Sequence, residues 1–495
     1  MALVLGIDIG TTSTIGILAD TQGAVRALAS RPVGLSSPHP GWTEEDPAEW
    51  WRNLCALVPE LLAKAGVAAQ NIAGIGVGGM LPAIVLLDAD GAVLRPSIQQ
   101  SDGRCGGEVA ELAASIDAAA FLARTGNGIN QQLATPKLRW IARHEPGVFA
   151  RIATVMGSYD YINFRLTGRS CVEQNWALEA GLTDLASHRI ADDLVALTGL
   201  PRGCIPDRVG STEVIGHVTE AAAKATGLAS GTPVVGGAAD FIASALVAGV
   251  TAPGDVLLKF GGSVDVLTAS ANARPDPRLF LDYHLIPGVY VPNGCMATGG
   301  SALNWFAATF AAGLETGDGT RHQALDRLAA AVPPGAEGLT VLPYFLGEKT
   351  PLHDPAARGL FEGLTLSHGL GHLWRALLEA YAYAIRHHIE VMTEIGHAPR
   401  RYLVSDGGSA SAVWMQTVAD VLGAPVQALT GHPGTCLGAA WTAAMGVGAA
   451  QDWAGIGRFV KPGPVYRPDP ARRTIYDAGY ARFRDLYRRV YQRVG

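Results

Sequence analysis

One local pattern occurs twice in this sequence, about half a chain apart. Residues 5–18 read LGIDIGTTSTIGIL, and residues 254–270 read GDVLLKFGGSVDVLTAS. Each segment has an apolar run, a turn of glycine and hydroxyl side chains, and a second apolar run. Two β-branched runs around a glycine turn predict an antiparallel hairpin. We therefore predict an internal duplication of one domain type, with the boundary near residues 245–253.

Length and composition limit the classes of protein that fit this duplication. The chain has 495 residues, which is too long for one ordinary hydrophobic core, so two or more domains are expected. Hydrophobic residues make up 48% and charged residues 17%, which is not the composition of a disordered chain. The net charge of -6 argues against a nucleic-acid-binding protein. The 61 glycines suit an α/β protein with phosphate-binding loops.

The compartment is predicted from the cysteines and the apolar runs. The six cysteines are scattered without a C-x-x-C pair, which is typical of reduced thiols in a cytoplasmic protein. Asp8 interrupts the first apolar stretch, and no basic segment precedes it, so a signal peptide is not expected. Residues 72–87 form the longest uncharged apolar run, but they include four glycines and Pro82 and therefore predict two buried strands. We expect a soluble protein without a membrane span.

Helices and strands alternate after the first hairpin. In GWTEEDPAEWW, Asp46 is a plausible N-cap, Pro47 occupies the first helical position, and Glu49 is placed to close a capping box. Residues 370–392 predict a long helix from their apolar spacing. Residues 434–450 predict a helix of small side chains, which suits close packing.

The first chemical motif is DIGTT, residues 8–12. Its glycine brings backbone N–H groups close to an anion, and its threonines add hydroxyl donors. A carboxylate in a phosphate-binding turn is reasonable if Mg²⁺ lies between Asp8 and the phosphate. The alternative is a tight hairpin with a surface aspartate, and the local pattern does not decide between the two.

Three further motifs combine acids, glycines and hydroxyls. GGAAD ends at Asp240, which is placed either as a general base or simply as a helix N-cap. FGGS includes Gly261 and Gly262, and DGGSAS includes Gly407 and Gly408 at the start of a predicted helix, where anions bind well. None of these motifs matches a P-loop or a Rossmann fingerprint.

Eight segments together resemble one known family. In order they are GIDIGTT, GWTEEDPAEWW, SDGR, TPKLRW, GGAAD, FGGS, GEKTPLHDPAARGLFEGLT and DGGSAS followed by ADVLGAPV. This ordered set closely resembles the FGGY carbohydrate kinases, in particular the xylulose-kinase-like branch. The resemblance covers essentially the whole chain, and it is far more specific than any one motif.

The resemblance implies an α/β architecture of the actin/hexokinase/Hsp70 type. Two RNase-H-like domains, residues 1–247 and 248–495, would enclose an ATP cleft between them. The implied reaction is transfer of the ATP γ-phosphate to a hydroxyl of a small ketose or polyol, most simply a pentulose such as xylulose. ATP and Mg²⁺ would be the cofactors, and dimers are common in this family, so a homodimer is one arrangement open to the chain. No nucleic-acid or membrane partner is expected.

The resemblance also assigns roles to individual residues. Asp240 would be the catalytic base and Asp8 would help to hold Mg²⁺. The phosphate and nucleotide contacts would come from Thr11, Thr12, Ser13, Gly261, Gly262, Gly407 and Gly408, and the sugar contacts from Met80, Leu81, Gln100, Asp102 and Asp240.

Departures from the family pattern concern the acceptor. The chain reads GGMLPA at residues 78–83 where xylulose kinases usually read SGQMHG, and Gln100-Ser101 replaces the usual Trp-Asn. The family's Thr and its basic residue are replaced by Gly261 and Ala410. Ribulose, ribitol, erythritol and glycerol therefore stay open as acceptors, and so does a non-catalytic actin-like ATP-binding protein.

The two acids predicted to act in the cleft should have separable effects. Asp8→Asn should mainly weaken the use of Mg·ATP, because it alters the metal ligand. Asp240→Asn should abolish transfer while nucleotide binding stays largely intact, because it removes only the base. Steady-state kinetics over a Mg²⁺ titration, together with nucleotide titration calorimetry, would measure both effects. Equal loss of nucleotide binding in both variants would contradict the assignment.

Overall fold

The computed structural model describes residues 2–431 and 434–492. Two seven-stranded sheets form its framework. The strands of the first sheet are Leu3–Ile9 (β1), Ser13–Asp20 (β2), Val25–Pro32 (β3), Ile72–Gly79 (β4), Val214–His217 (β5), Pro233–Val235 (β6) and Ala238–Ala239 (β7). Those of the second sheet are Asp255–Phe260 (β8), Val264–Thr268 (β9), Phe280–Tyr283 (β10), Tyr290–Met296 (β11), Arg401–Ser405 (β12), Val426–Thr430 (β13) and Lys461–Tyr466 (β14).

The two sheets have the same spatial order of strand directions, which confirms the predicted duplication. Their chain order differs at one edge, because β5 precedes its neighbour β6 whereas β14 follows its neighbour β13. The first sheet has the order β5-β6-β4-β1-β2-β3, with β7 also on β4, and the second has the order β14-β13-β12-β8-β9-β11-β10. In each sheet a hairpin, β1-β2 or β8-β9, is antiparallel, and its first strand pairs in parallel with the strand that follows a long insertion. The next strand is again parallel, and the one after it is antiparallel. The second sheet adds only the edge strand β10.

Helices cover both sheets. Those of the first half are Pro47–Ala65 (α1), Gly106–Ser115 (α2), Ala118–Thr125 (α3), Ala134–His144 (α4), Pro146–Phe149 (α5), Ser158–Thr167 (α6), Gln174–Glu179 (α7), Asp192–Ala196 (α8), Glu220–Thr226 (α9) and Asp240–Val247 (α10). Those of the second half are Gly300–Phe310 (α11), Arg321–Ala330 (α12), Leu370–Glu394 (α13), Ala412–Leu422 (α14), Thr435–Gly446 (α15) and Arg473–Tyr491 (α16). None of the helices in the described residues combines the length and the apolar character that crossing a membrane requires.

The start of α1 follows the sequence prediction only in part. Asp46 is the N-cap and accepts a hydrogen bond from the N–H of Ala48, and Pro47 is the first helical residue. The capping box is wrong, because Glu49 Oε2 accepts instead from the N–H of Gly34, 3.0 Å away. Glu49 therefore ties the loop after β3 to the helix.

Helix α15 belongs to the second half of the sequence but packs on the first sheet. A Cβ added to Gly6 would lie 1.9 Å from the carbonyl oxygen of Cys436, and one added to Gly76 would lie 2.0 Å from that of Ala439. The backbone of α15 therefore lies directly against β1 and β4, at positions where only glycine leaves room. Its residues share one hydrophobic core with the first sheet. The predicted boundary near residues 245–253 covers the last three residues of α10 and most of the loop before β8, yet the first core includes part of the second half.

Two buried asparagines from the first half pair with the edge strand β10. The side chain of Asn127 donates to the carbonyl of Leu281 (2.9 Å) and accepts from its N–H (3.0 Å). The side chain of Asn175 makes the same pair of bonds with Tyr283, at 3.0 and 2.8 Å. Leu281 and Tyr283 are two residues apart, so their backbone groups lie on the same outer edge of the sheet. The two side-chain amides thus provide hydrogen-bond partners for outward-facing backbone groups of β10, which no neighbouring strand in the described residues pairs with.

Enlarging Gly76 should destabilise the fold. We expect Gly76→Val to lower the free energy of unfolding by about 1–3 kcal/mol or more, because α15 must move away from β4. Gly107→Ala is the matched control: Gly107 is exposed in α2 and a Cβ there meets nothing within 4 Å, so its effect should stay within about 1 kcal/mol. Urea denaturation of both variants measures the difference. Equal stability of the two variants would show that α15 is free to shift.

Candidate active site

The two hairpin turns and the start of α10 meet in a cleft between the sheets. In the first turn, the N–H of Gly10 donates to the carbonyl of Ser13 at 3.1 Å, and the side chains of Thr11 and Thr12 are exposed. The Thr11 hydroxyl lies 3.6 Å from Sδ of Met80. Thr11, Thr12 and Ser13 stand at this turn but line neither of the two cavities described next.

A cavity of about 500 Å³, here called the glycine cavity, lies on the side of the second sheet. It contains both glycine motifs that the sequence singled out. Trp374 and Trp414 contribute aromatic surface, and Asn304 and Gln323 contribute polar groups. Its glycines are Gly261, Gly262, Gly300, Gly407 and Gly408. A partly aromatic cavity with glycine backbone at its wall suits a purine base and the start of its phosphate chain.

A smaller cavity of about 240 Å³, here called the polar cavity, lies on the other side of the second hairpin. It brings together four residues that the sequence predicted for one pocket: Met80, Leu81, Gln100 and Asp240. The turn itself separates the two cavities, since Gly261 and Gly262 line the glycine cavity and the flanking residues Lys259 and Ser263 line the polar cavity.

Several residues of the polar cavity were not found from the sequence. They come from segments far apart in the chain and include Gln132, Glu179, Lys259, Asp265, Asn293 and Lys349. Lys259 and Asp265 lie in the quoted segment 254–270 and Lys349 lies in the GEKTP motif, but the sequence assigned no functional role to any of the three. The signal available for Lys259 was its position two residues before Gly261, as the one charged residue in the run of residues 256–260.

Asp240 is the first residue of α10, and the N-cap position is occupied by Ala239. The alternative of a simple N-cap aspartate is therefore wrong. Asp240 Oδ1 accepts a hydrogen bond from the N–H of Phe241 at 2.7 Å. Burial raises the pKa of Asp240 and Asp265 adds to the rise, whereas the Lys259 ammonium opposes it. The carboxylate faces the polar cavity, where it can accept a proton from a bound hydroxyl.

Asp8 lies beneath the first turn. Burial, followed by repulsion from Asp240, raises the pKa of Asp8 to about 7 against the opposing effect of Lys259. Its Oδ1 is buried and has no hydrogen-bond partner among residues 2–431 and 434–492. No cluster of three or more histidine, cysteine or acidic side chains in that part of the chain could hold a metal. A single unpaired carboxylate oxygen fits Mg²⁺, which takes few protein ligands and keeps much of its water.

Asp102 does not line the polar cavity, although the sequence placed it at the sugar pocket. Its Oδ1 accepts from Nε of Arg104 (2.8 Å), and its Oδ2 accepts from Nη2 of Arg104 (2.7 Å) and from the N–H of Thr43 (2.6 Å). Burial alone would raise the pKa of Asp102, but the hydrogen bonds from Arg104 and Thr43 hold it below its ordinary value. In this structure Asp102 orders the loop that carries Gln100.

A pair of buried acids lies at the polar cavity. Glu179 lines the cavity, and Asp282 behind it accepts a hydrogen bond from Nδ2 of Asn293 at 2.8 Å. Burial and the charge of Asp282 raise the pKa of Glu179 well above its ordinary value, and burial raises the pKa of Asp282 to about 8. The raised pKa values of Glu179 and Asp282 favour a proton shared between the two carboxyl groups.

Nearly the whole chain is similar to known proteins. The model of the N-terminal domain of the FGGY family of carbohydrate kinases matches residues 3–247, and that of the C-terminal domain matches residues 257–447. The crystal structure of xylulose kinase from Rhodospirillum rubrum superposes with a TM-score of 0.95 at 58% identity, covering 99% of each chain.

Two curated relatives come from Escherichia coli (strain K12). Its xylulose kinase is 31% identical over 491 residues, which is 99% of each chain. Its L-xylulose/3-keto-L-gulonate kinase is 27% identical over 97% of this chain and 96% of the relative. The two domain models, the fold and the full-length relatives agree. The chain therefore belongs to the FGGY family of carbohydrate kinases, which use ATP as the phosphate donor.

Proposed function

We propose that this protein is an ATP-dependent pentulose kinase whose acceptor is xylulose. One observation carries the proposal: the turn of the second hairpin separates the glycine cavity from the polar cavity, and Asp240 lines the polar one. A nucleotide in the glycine cavity would direct its terminal phosphate past Gly261 and Gly262. An acceptor in the polar cavity would place its hydroxyl against the Asp240 carboxylate.

The chain's own groups account for the transfer. Phosphoryl transfer depends on positioning and charge neutralisation more than on covalent help from the protein. Asp240 accepts the proton of the acceptor hydroxyl as its oxygen bonds to the γ-phosphorus, and ADP leaves with the electrons of the broken bond. Asp8 would hold Mg²⁺, which neutralises charge on the phosphate oxygens when bound. The hydroxyls and N–H groups of the first turn, residues 10–13, would add donors to the phosphate.

The polar side chains that line the polar cavity suit a small acceptor with several hydroxyl groups. Gln100 and Gln132 line the polar cavity and contact each other, with Nε2 of Gln132 3.1 Å from Oε1 of Gln100. Glu179 and Asn293 add further groups that pair with hydroxyls. Xylulose is favoured among ketoses because two of the relatives described above, one of them 58% identical, are named xylulose kinases.

An acceptor panel tests the proposal. With Mg·ATP we expect D-xylulose to give the highest kcat/KM among D-xylulose, L-xylulose, 3-keto-L-gulonate, D-ribulose, ribitol, erythritol, glycerol and gluconate, measured by coupled ADP release. Asp240→Asn should lower kcat by about 10²–10⁴-fold, because it removes the general base.

Three outcomes would change the assignment. A higher kcat/KM for another ketose or polyol would reassign the acceptor and keep the kinase. ADP release that no acceptor stimulates, and that Asp240→Asn leaves unchanged, would contradict the kinase. An ATP-dependent change of oligomeric state without any acceptor turnover would favour the actin-like alternative.

A further inference from the structure

Lys259 is placed at the junction of the two cavities by the geometry of its strand. Side chains alternate along β8, so Lys259 lies on the same face as Leu257, which packs into the core of the first half of the chain. Leu258 and Phe260 face the opposite core. Lys259 is also the direct cross-strand partner of Asp265. Its side chain therefore faces the cleft between the sheets, one residue before the segment that lines the glycine cavity.

The ammonium of Lys259 makes no hydrogen bond and no ion pair within 4.0 Å to any residue in 2–431 or 434–492. Four carboxylates surround it at longer range: Asp265, Asp240, Asp406 and Asp8. Burial alone would lower the pKa of Lys259, but these acids outweigh it and raise the pKa, so the side chain stays charged. Lys259 is only partly buried and lines the polar cavity, so its ammonium is accessible to an anion that enters the cleft, and a charge-assisted contact there would be favourable.

The phosphate-binding segments provide no other cation. The described residues that line the glycine cavity include no lysine or arginine. Residues 3–20 of the first hairpin and residues 407–411 of the DGGSAS loop also lack them. Lys349 lines the polar cavity, but its Nζ lies 4.0 Å from Sγ of Cys295, and the cation that opposes the raised pKa of Asp8 and of Asp240 is Lys259. A phosphate chain entering among these acids needs a positive charge where Lys259 stands.

We propose that the Lys259 ammonium binds the γ-phosphoryl group of ATP and holds it between the glycine cavity and the polar cavity during transfer. This inference rests on the proposed kinase function. The acceptor oxygen forms its bond to the γ-phosphorus, the bond to the β–γ bridging oxygen breaks, and the hydroxyl proton goes to Asp240. Lys259 keeps its own proton throughout and neutralises the oxygens of the moving group.

Nucleotide titration calorimetry tests the contact without turnover. In the presence of Mg²⁺, Lys259→Met should weaken binding of a non-hydrolysable ATP analogue by about tenfold or more, because a charge-assisted contact to the γ-phosphate is lost. Binding of ADP should change by less than about twofold, because ADP lacks that group. Lys224→Met, an exposed lysine on α9, is the matched control and should leave both affinities unchanged.

Kinetics distinguish a phosphate contact from a structural role. Lys259→Met should lower kcat by about 10²–10³-fold with a much smaller change in the KM of the acceptor, and Lys259→Arg should restore part of kcat. Equal weakening of ADP and the ATP analogue, or unchanged values for both, would overturn the proposal. If the wild type transfers phosphate to no acceptor, the kinase function fails, whereas the comparison of ADP with the analogue still tests Lys259.

A double variant that keeps the net charge unchanged tests the proposal if Lys259→Met does not fold. Lys259→Gln in an Asp265→Asn background removes one cation and one anion from neighbouring positions of β8 and β9. Compared with Asp265→Asn alone, the double variant should show the same selective loss of affinity for the ATP analogue. The absence of that selective loss would overturn the proposal.

Discussion

The contact between α15 and the first sheet is the constraint on which the rest of the structure depends. Glycines at Gly6 and Gly76 allow the helix backbone to lie against the strands, where any side chain would collide with a carbonyl oxygen. Gly438 does the same on the helix, facing Ala243 of α10. Because α15 comes late in the sequence, this packing joins both halves of the chain. It also fixes the start of α10, and with it Asp240, next to the first hairpin.

The cleft concentrates negative charge where a phosphate must be bound. Asp8, Asp240 and Asp265 contribute to one another's pKa values or to that of Lys259, and the burial of Asp8 and Asp240 raises their pKa values further. Such an arrangement is unfavourable for folding alone, since buried like charges repel. It becomes reasonable when a divalent cation and a polyanionic substrate complete it. In the proposed kinase, bound Mg·ATP would compensate the repulsion that destabilises the free site.

The framework could be predicted from the sequence because its signals are local. The hairpins, the start of α1 and the small-residue helix each follow from a short pattern, and the order of the motifs identified the family. The polar cavity could not be predicted in full, because Gln132, Glu179 and Lys349 are brought together only by tertiary packing. Asp102 is the opposite case. Its motif was recognised, but the sequence did not reveal that its carboxylate accepts two hydrogen bonds from the Arg104 guanidinium.

The two asparagines on strand β10 have a consequence for motion. Asn127 and Asn175 hold the second sheet at Leu281 and Tyr283, two points that define a line along the strand edge. A relative movement of the two sheets that keeps all four bonds is a rotation about this line, because sliding would break them; α15 would move with the first sheet, on which it packs. Phe280, next to the line, belongs to the polar cavity, whereas the glycine cavity lies across the sheet. Such a hinge would open the nucleotide side widely while the acceptor side changed little.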